Sequence, residues 1–68
     1  MNEFSIRIKE MRFERNMSML ELGSAAGISE RAIYGYEKGT RFPTLKSLVG
    51  LKNAFDCTWE ELLGGISL

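Results

Sequence analysis

A chain of 68 residues has room for one domain, and its nine Lys and Arg are balanced by nine Asp and Glu. It has no histidine and one cysteine, Cys57, which excludes an internal disulfide, a zinc finger and histidine-based catalysis. With no phosphate-cradling glycine loop, no apolar run of bilayer length and no signal-peptide core in MNEFSIRIKE, the expectation is a soluble cytoplasmic chain that is not an enzyme and holds no metal or cofactor.

The first helix is predicted over about residues 4–15, with Phe4, Ile8 and Met11 forming an inward stripe at i, i+4 and i+7. Ile6 and Phe13 fall on a different side of it, either at the core margin or as a patch for another chain. Asn16, which tolerates left-handed backbone, ends this helix. Ser18 and Glu21 then have capping-box spacing and open a second helix, 18–26, in which Leu20 and Ala25 or Ala26 are expected to face inward. Gly27 supplies a turn that needs positive φ, Ile28 plugs inward, and Ser29 caps a third helix, 29–37, with Ile33 and Tyr36 on its apolar face.

Residues 38–43 read as a loop, stopped by Gly39 and closed to further helix by Pro43. Thr44 caps a fourth helix, 44–55, whose apolar side is marked by Leu45, Leu48, Val49 and Leu51 or Lys52. Phe55 closes it, Asp56 takes the turn and Cys57 packs as a small hydrophobe. Thr58 and Glu61 repeat the capping-box spacing and open a fifth helix, 58–63, ended by Gly64 and Gly65. Trp59 and Leu62 or Leu63 are expected in the core. Ile66 and Leu68, in the tail 64–68, have nothing evident inside the domain to cover. The fold class is therefore all-α, with five helices in a single domain.

Two short helices joined at a glycine form the hairpin that can press one helix into a DNA groove, although any small helical bundle contains such a hairpin too. Zero net charge weighs against nucleic acid, but the distribution is uneven. Residues 1–52 hold nine bases against six acids, net +3, and residues 53–68 hold three acids and no base, net −3.

The segments RIKEMRFERNMS, LELGSAAGISERAIYGYEKG, TRFPTLKSL and NAFDCTWEELL occur in an order and spacing that resemble the lambda-repressor/Cro-like (Xre-like) helix-turn-helix family across residues 4–63. The resemblance implies a compact DNA-binding domain with helix 30–37 in the major groove and Ser18 near the DNA backbone. It pairs Arg12 with Glu37 in an ion pair clamping the first helix to the third, with a second possible role for Arg12 toward a phosphate. It places Glu30, Arg31, Tyr34 and Gly35 at base-contacting positions. Arg31 is the natural reader of guanine O6 and N7, or else a solvated charge. Glu30 accepts from cytosine, repels phosphate or, as a third role, stabilises the N-terminus of its own helix, and Gly35 permits close backbone approach.

Contacts to the DNA backbone are implied for Ser18, Met19 and Ser29 and for Lys38, Thr40 and Arg41, the loop set having solvated charges as its alternative. Met19 departs from the family, which commonly has glutamine there and so gains a hydrogen bond that methionine cannot make. A homodimer burying the C-terminal helix and tail would set two half-sites about 34 Å apart on a palindromic operator, as a repressor does. No small-molecule ligand is evident. The rival reading is a protein-interaction module, antitoxin-like or a co-regulator subunit. It keeps this fold without groove reading, as Met19, Glu30, Gly35 and the zero net charge suggest.

Overall fold

In the computed structural model of the chain, which describes residues 2–66, each helix begins at a side-chain oxygen that satisfies one of its unpaired backbone donors. Asn2 caps α1 (Glu3–Glu14), Ser18 caps α2 (Met19–Ala26), Ser29 caps α3 (Glu30–Lys38), Thr44 caps α4 (Leu45–Phe55) and Thr58 caps α5 (Trp59–Leu63). The Ser18–Glu21 and Thr58–Glu61 boxes close reciprocally, as their spacing predicts. A third box was not anticipated: the Asn2 side chain accepts from the Ser5 N–H, and the Ser5 hydroxyl accepts from the Asn2 N–H. It starts α1 one residue earlier than expected. Asn16 and Asp56 adopt left-handed backbone at φ 54° and 51°, and Gly27 and Gly39 do so at φ 72° and 79°.

The core gathers Phe4, Ile8 and Met11 from α1, Leu22 from α2, Ala32, Ile33 and Tyr36 from α3, Leu51 and Phe55 from α4, then Cys57 and Leu62. Helix α2 packs on α3 and α4, and α1 packs on α3 and α5. At the α2–α3 junction Gly23 is buried so tightly that a Cβ there would run into the Ile28 carbonyl oxygen.

Several inward assignments are corrected. Leu22, not Leu20, fills the core; the two lie about 200° apart around the helix, so burying one exposes the other. Of the two alternatives Ala25 and Ala26, Ala26 is the one that packs on the core, as expected, and Ala25 is exposed. On α4 the inward stripe is Leu48, Leu51 and Phe55, leaving Leu45 and Val49 exposed. Trp59 stands at the margin, its ring facing the Lys52 ammonium at 5.7 Å, because Leu62 takes the inward side of a helix only five residues long. Ile66 folds back onto the core with Leu63, contrary to the expectation of an uncovered tail; the expectation for Leu68 lies outside the described residues. Phe13 is exposed, with the Arg12 guanidinium 4.6 Å from its ring centroid.

One ion pair lies inside this apolar frame. Arg12 Nε donates to Glu37 at 2.7 Å and Nη2 donates to its other oxygen at 3.0 Å, while Nη1 reaches the Met17 carbonyl at 2.9 Å. Both residues are buried, and the carboxylate raises the Arg12 pKa further above its usual value. The guanidinium thus ties α1 to the end of α3 and to the entry of α2.

Two other arginines, Arg7 within α1 and Arg15 at its C-cap, reach carbonyls at helix ends, where cations complement the dipole. Arg7 donates to the Glu61 and Gly64 carbonyls around α5, and Arg15 donates to the Phe55 carbonyl at 3.0 Å while lying over the Phe55 ring.

Removing one member of a buried pair strands the other, at a cost of about 3–5 kcal/mol, comparable to the whole stability of a domain this size. Glu37→Ala is therefore expected to unfold much of the population at 25 °C, measured by urea titration against wild type; a loss below about 1 kcal/mol would contradict the role of the pair. A pH effect follows from the caps. Backbone N–H groups of Ser18 and Thr58 hold the Glu21 and Glu61 carboxyls below the usual carboxylate range. A depressed native pKa contributes stability above the unfolded value and loses it as pH falls through the native one. The melting temperature should accordingly hold from pH 7 to about 5 and fall toward about 3. The Glu21→Gln, Glu61→Gln double variant should show a shallower fall, and an identical acid profile would remove the caps from the account.

Candidate nucleic-acid interface

Burial divides α3 into two sides. Ala32, Ile33, Tyr36 and Glu37 are buried, whereas Arg31, Tyr34 and Lys38, at i, i+3 and i+7, are exposed along one outer face. Glu30, the first residue of α3, is exposed and acidic at the positive end of its helix. Ser29 is exposed, its hydroxyl accepting from the Ala32 N–H at 3.1 Å. Between α2 and α3, Met19, Glu30, Arg31 and Tyr34 line a shallow cleft. Met19 is half-buried and rests on the core, so it forms the apolar floor of that cleft. The Lys38 ammonium lies 5.7 Å from the Tyr34 ring centroid.

At the start of α2 the Ser18 hydroxyl is exposed but already accepts from the Glu21 N–H at 3.0 Å. The Ser18 N–H donates to the Glu21 carboxylate at 2.8 Å. That helix end is thus neutralised from within.

Two expected contact residues sit elsewhere. Arg12 is buried and committed to Glu37 and Met17, so a reach toward phosphate is not supported. Gly35 does not lie bare on the outer face: it is buried beneath Arg41, whose Cδ and Cγ would lie 2.6 and 2.9 Å from a Cβ at that position. Its carbonyl gathers the backbone N–H groups of Gly39, Thr40 and Arg41, and the Thr40 hydroxyl at 3.3 Å. Glycine inside a helix costs about 1 kcal/mol relative to alanine, so this position carries a structural reason other than helix formation. Helical propensity was the one clue in the sequence to the Arg41 contact.

Arg31, Lys38 and Arg41 are exposed, and among the described residues the ion pairs are Arg12–Glu37 and Arg15–Glu14. The cations on and beside α3 are therefore available to a ligand, whereas Arg7, Arg12 and Arg15 are engaged within the protein. Sequence reasoning missed the engagement of Arg7 and Arg15, whose partners are backbone carbonyls from the far end of the chain. Among the described residues no group of His, Cys, Asp and Glu is placed to hold a metal ion, and no helix is long and apolar enough to cross a membrane.

The helical fold that presents this face has counterparts among known proteins. The helix-turn-helix family HTH_3 matches residues 8–62. The HTH-type transcriptional regulator AnsR of Bacillus subtilis is 40% identical over 58 residues, covering 85% of this chain and 50% of that protein. The chain thus spans about half the length of curated relatives it matches. Among solved structures, the restriction-modification controller protein C.AhdI from Aeromonas hydrophila superposes with a TM-score of 0.83 at 29% identity, covering 87% of this chain and 89% of that one. The DNA-binding domain of the P22 C2 repressor superposes with a TM-score of 0.85 at 29% identity, covering 94% and 86%. The chain belongs to the Xre/lambda-repressor-like helix-turn-helix family of DNA-binding transcriptional regulators.

Proposed function

We propose that this domain binds double-stranded DNA as a homodimer, lays α3 in the major groove of a palindromic operator and represses by occupying it. The observation that carries this reading is the outer face of α3, where Arg31, Tyr34 and Lys38 are exposed and unpaired by any carboxylate among the described residues. Arg31 is the reader of guanine, presenting two parallel donors from a rigid plane. Tyr34 stands at the groove edge with its hydroxyl toward phosphate or its ring toward a thymine methyl. Glu30 stabilises the start of α3 and disfavours phosphate beside it. Ser18, Ser29, Lys38 and Thr40 position the backbone of the duplex. Regulation by occupancy requires nothing more of the domain, and the place of action we assign to it is the cytoplasm.

The dimer surface is assigned to α5 and the adjoining side of α4. Leu45 and Val49, one turn apart, are exposed, and Lys52, a further turn along, covers the ring of the half-exposed Trp59. A symmetric partner would bury this strip and place two copies of α3 one helical turn of DNA apart. The interaction-module reading draws on other exposed residues: Ile6 is 46% exposed and Phe13 58% exposed on α1.

Selection of bound duplexes from a random pool separates the two. A palindromic motif with half-site centres about 34 Å apart is the expected result, and retention of no duplex at low salt leaves the interaction module. Within an enriched motif, Arg31→Ala should weaken binding by roughly 1–3 kcal/mol and relax preference at one base pair per half-site; equal binding by variant and wild type would remove Arg31 from the reading role. Sedimentation equilibrium tests the assembly. Wild type is expected to be dimeric at micromolar concentration and Trp59→Ser shifted toward monomer, whereas unchanged association would place the interface elsewhere.

A further inference from the structure

We propose that α1 is the spacer between the groove helix and the pairing helix, and that Arg7 is the positioning residue that fixes the half-site separation the dimer accepts. This rests on the assignment of α5 and the adjoining side of α4 to the dimer surface. Two arginines on α1 hold different helices. Arg12 grips Glu37, near the end of α3, with donors at 2.7 and 3.0 Å. Arg7 sends one nitrogen to the Glu61 carbonyl and the other, at 2.9 Å, to the Gly64 carbonyl. The two arginines are five positions apart on one helix, a rise of about 7.5 Å. Both α3 and α5 are therefore held from a single rod.

Helix α5 depends on that hold more than its neighbours do. Helices α2, α3 and α4 end on the left-handed caps Gly27, Gly39 and Asp56, whereas the C-cap of α5, Gly64, is extended at φ −61° and ψ 134°. Helix α4 is also packed on α2, while α5 packs chiefly on α1. Glu3 and Glu10 flank Arg7 at i−4 and i+3, yet among the described residues it forms an ion pair with neither. Its planar fork is directed at two carbonyls instead, which fixes the direction of α5 as well as its distance; a lysine would meet one carbonyl at a time.

Direction matters because a dimer must seat two copies of α3 together. Inserting one base pair between half-sites moves the second by about 3.4 Å along the duplex and turns it by about 35° around the axis. With α5 held rigidly to α1, and α1 to α3, the dimer cannot follow that displacement. Without Arg7, α5 keeps its anchor in the fully buried Leu62 but can tilt about it, and the exposed Leu45, Val49 and Trp59 remain available to a second copy.

The test measures affinity of wild type and Arg7→Ala for duplexes carrying the enriched half-sites, with one or two base pairs inserted or removed between them. Wild type should weaken by roughly a hundredfold at two base pairs from its preferred separation, as simultaneous engagement is lost. Arg7→Ala should select the same half-site sequence, remain a dimer by sedimentation equilibrium and lose less than about tenfold over the same change. A role confined to stability would lower affinity equally at every separation, and that result, or an unchanged spacing profile, would overturn the proposal. A monomeric Arg7→Ala would overturn it too, by making Arg7 necessary for association itself. Should Arg7→Ala not fold, Arg7→Lys carries the comparison: its profile should flatten in the same way, and the wild-type profile would refute the role of the fork. Enrichment of single half-sites by wild type would remove the dimer reading, and this proposal with it.

Discussion

The orientation of α3 depends on one guanidinium. Arg12 grips Glu37 with two donors and the Met17 carbonyl with a third, so a single side chain fixes the end of α3 against α1 and the chain entering α2. A small domain has few apolar residues with which to set a helix at a defined angle. A bidentate pair adds direction that burial alone lacks. Phe13 lies against the guanidinium, which gives that exposed aromatic ring a task within the fold.

Zero net charge is compatible with a cationic face because the charges are divided by partner. Arg7, Arg12 and Arg15, in α1 and at its C-cap, are engaged by carbonyls or by Glu37, and the acids Glu21 and Glu61 are turned back onto the caps of their own helices. What remains around α3 is Arg31, Lys38 and Arg41, with Glu30 opposing. The local field therefore differs from the sum over the chain, and the sum was the weaker guide.

The helices were legible in the sequence because their starts are chemical: Ser18, Ser29, Thr44 and Thr58 announce caps whatever the tertiary setting. The Asn2–Ser5 box escaped because serine is not the Glu or Gln that usually completes such a pair. Inward and outward faces were less legible on short helices. Leu20 and Leu22, or Leu45, Val49 and Leu51, are equally apolar, and only the packing of neighbouring helices chooses between them. Trp59 and Ile66 exchanged their expected roles because α5 offers a single inward position, which Leu62 takes. The inner face of α3 was readable from the spacing of Ile33 and Tyr36, and its outer residues from the resemblance to the helix-turn-helix family. The burial of Gly35 was not, since the side chain that covers it comes from the following loop.

The grip of Arg7 on the Glu61 and Gly64 carbonyls has a consequence for how the molecule comes apart. It joins positions 57 residues apart, so the first helix holds the last one. A helix of five residues has no stability of its own, and α5 persists only while α1 is docked. Fraying of α5 is therefore coupled to undocking of α1, and the Leu62 amide, which donates to the Thr58 carbonyl, is expected to exchange with solvent only as that contact opens.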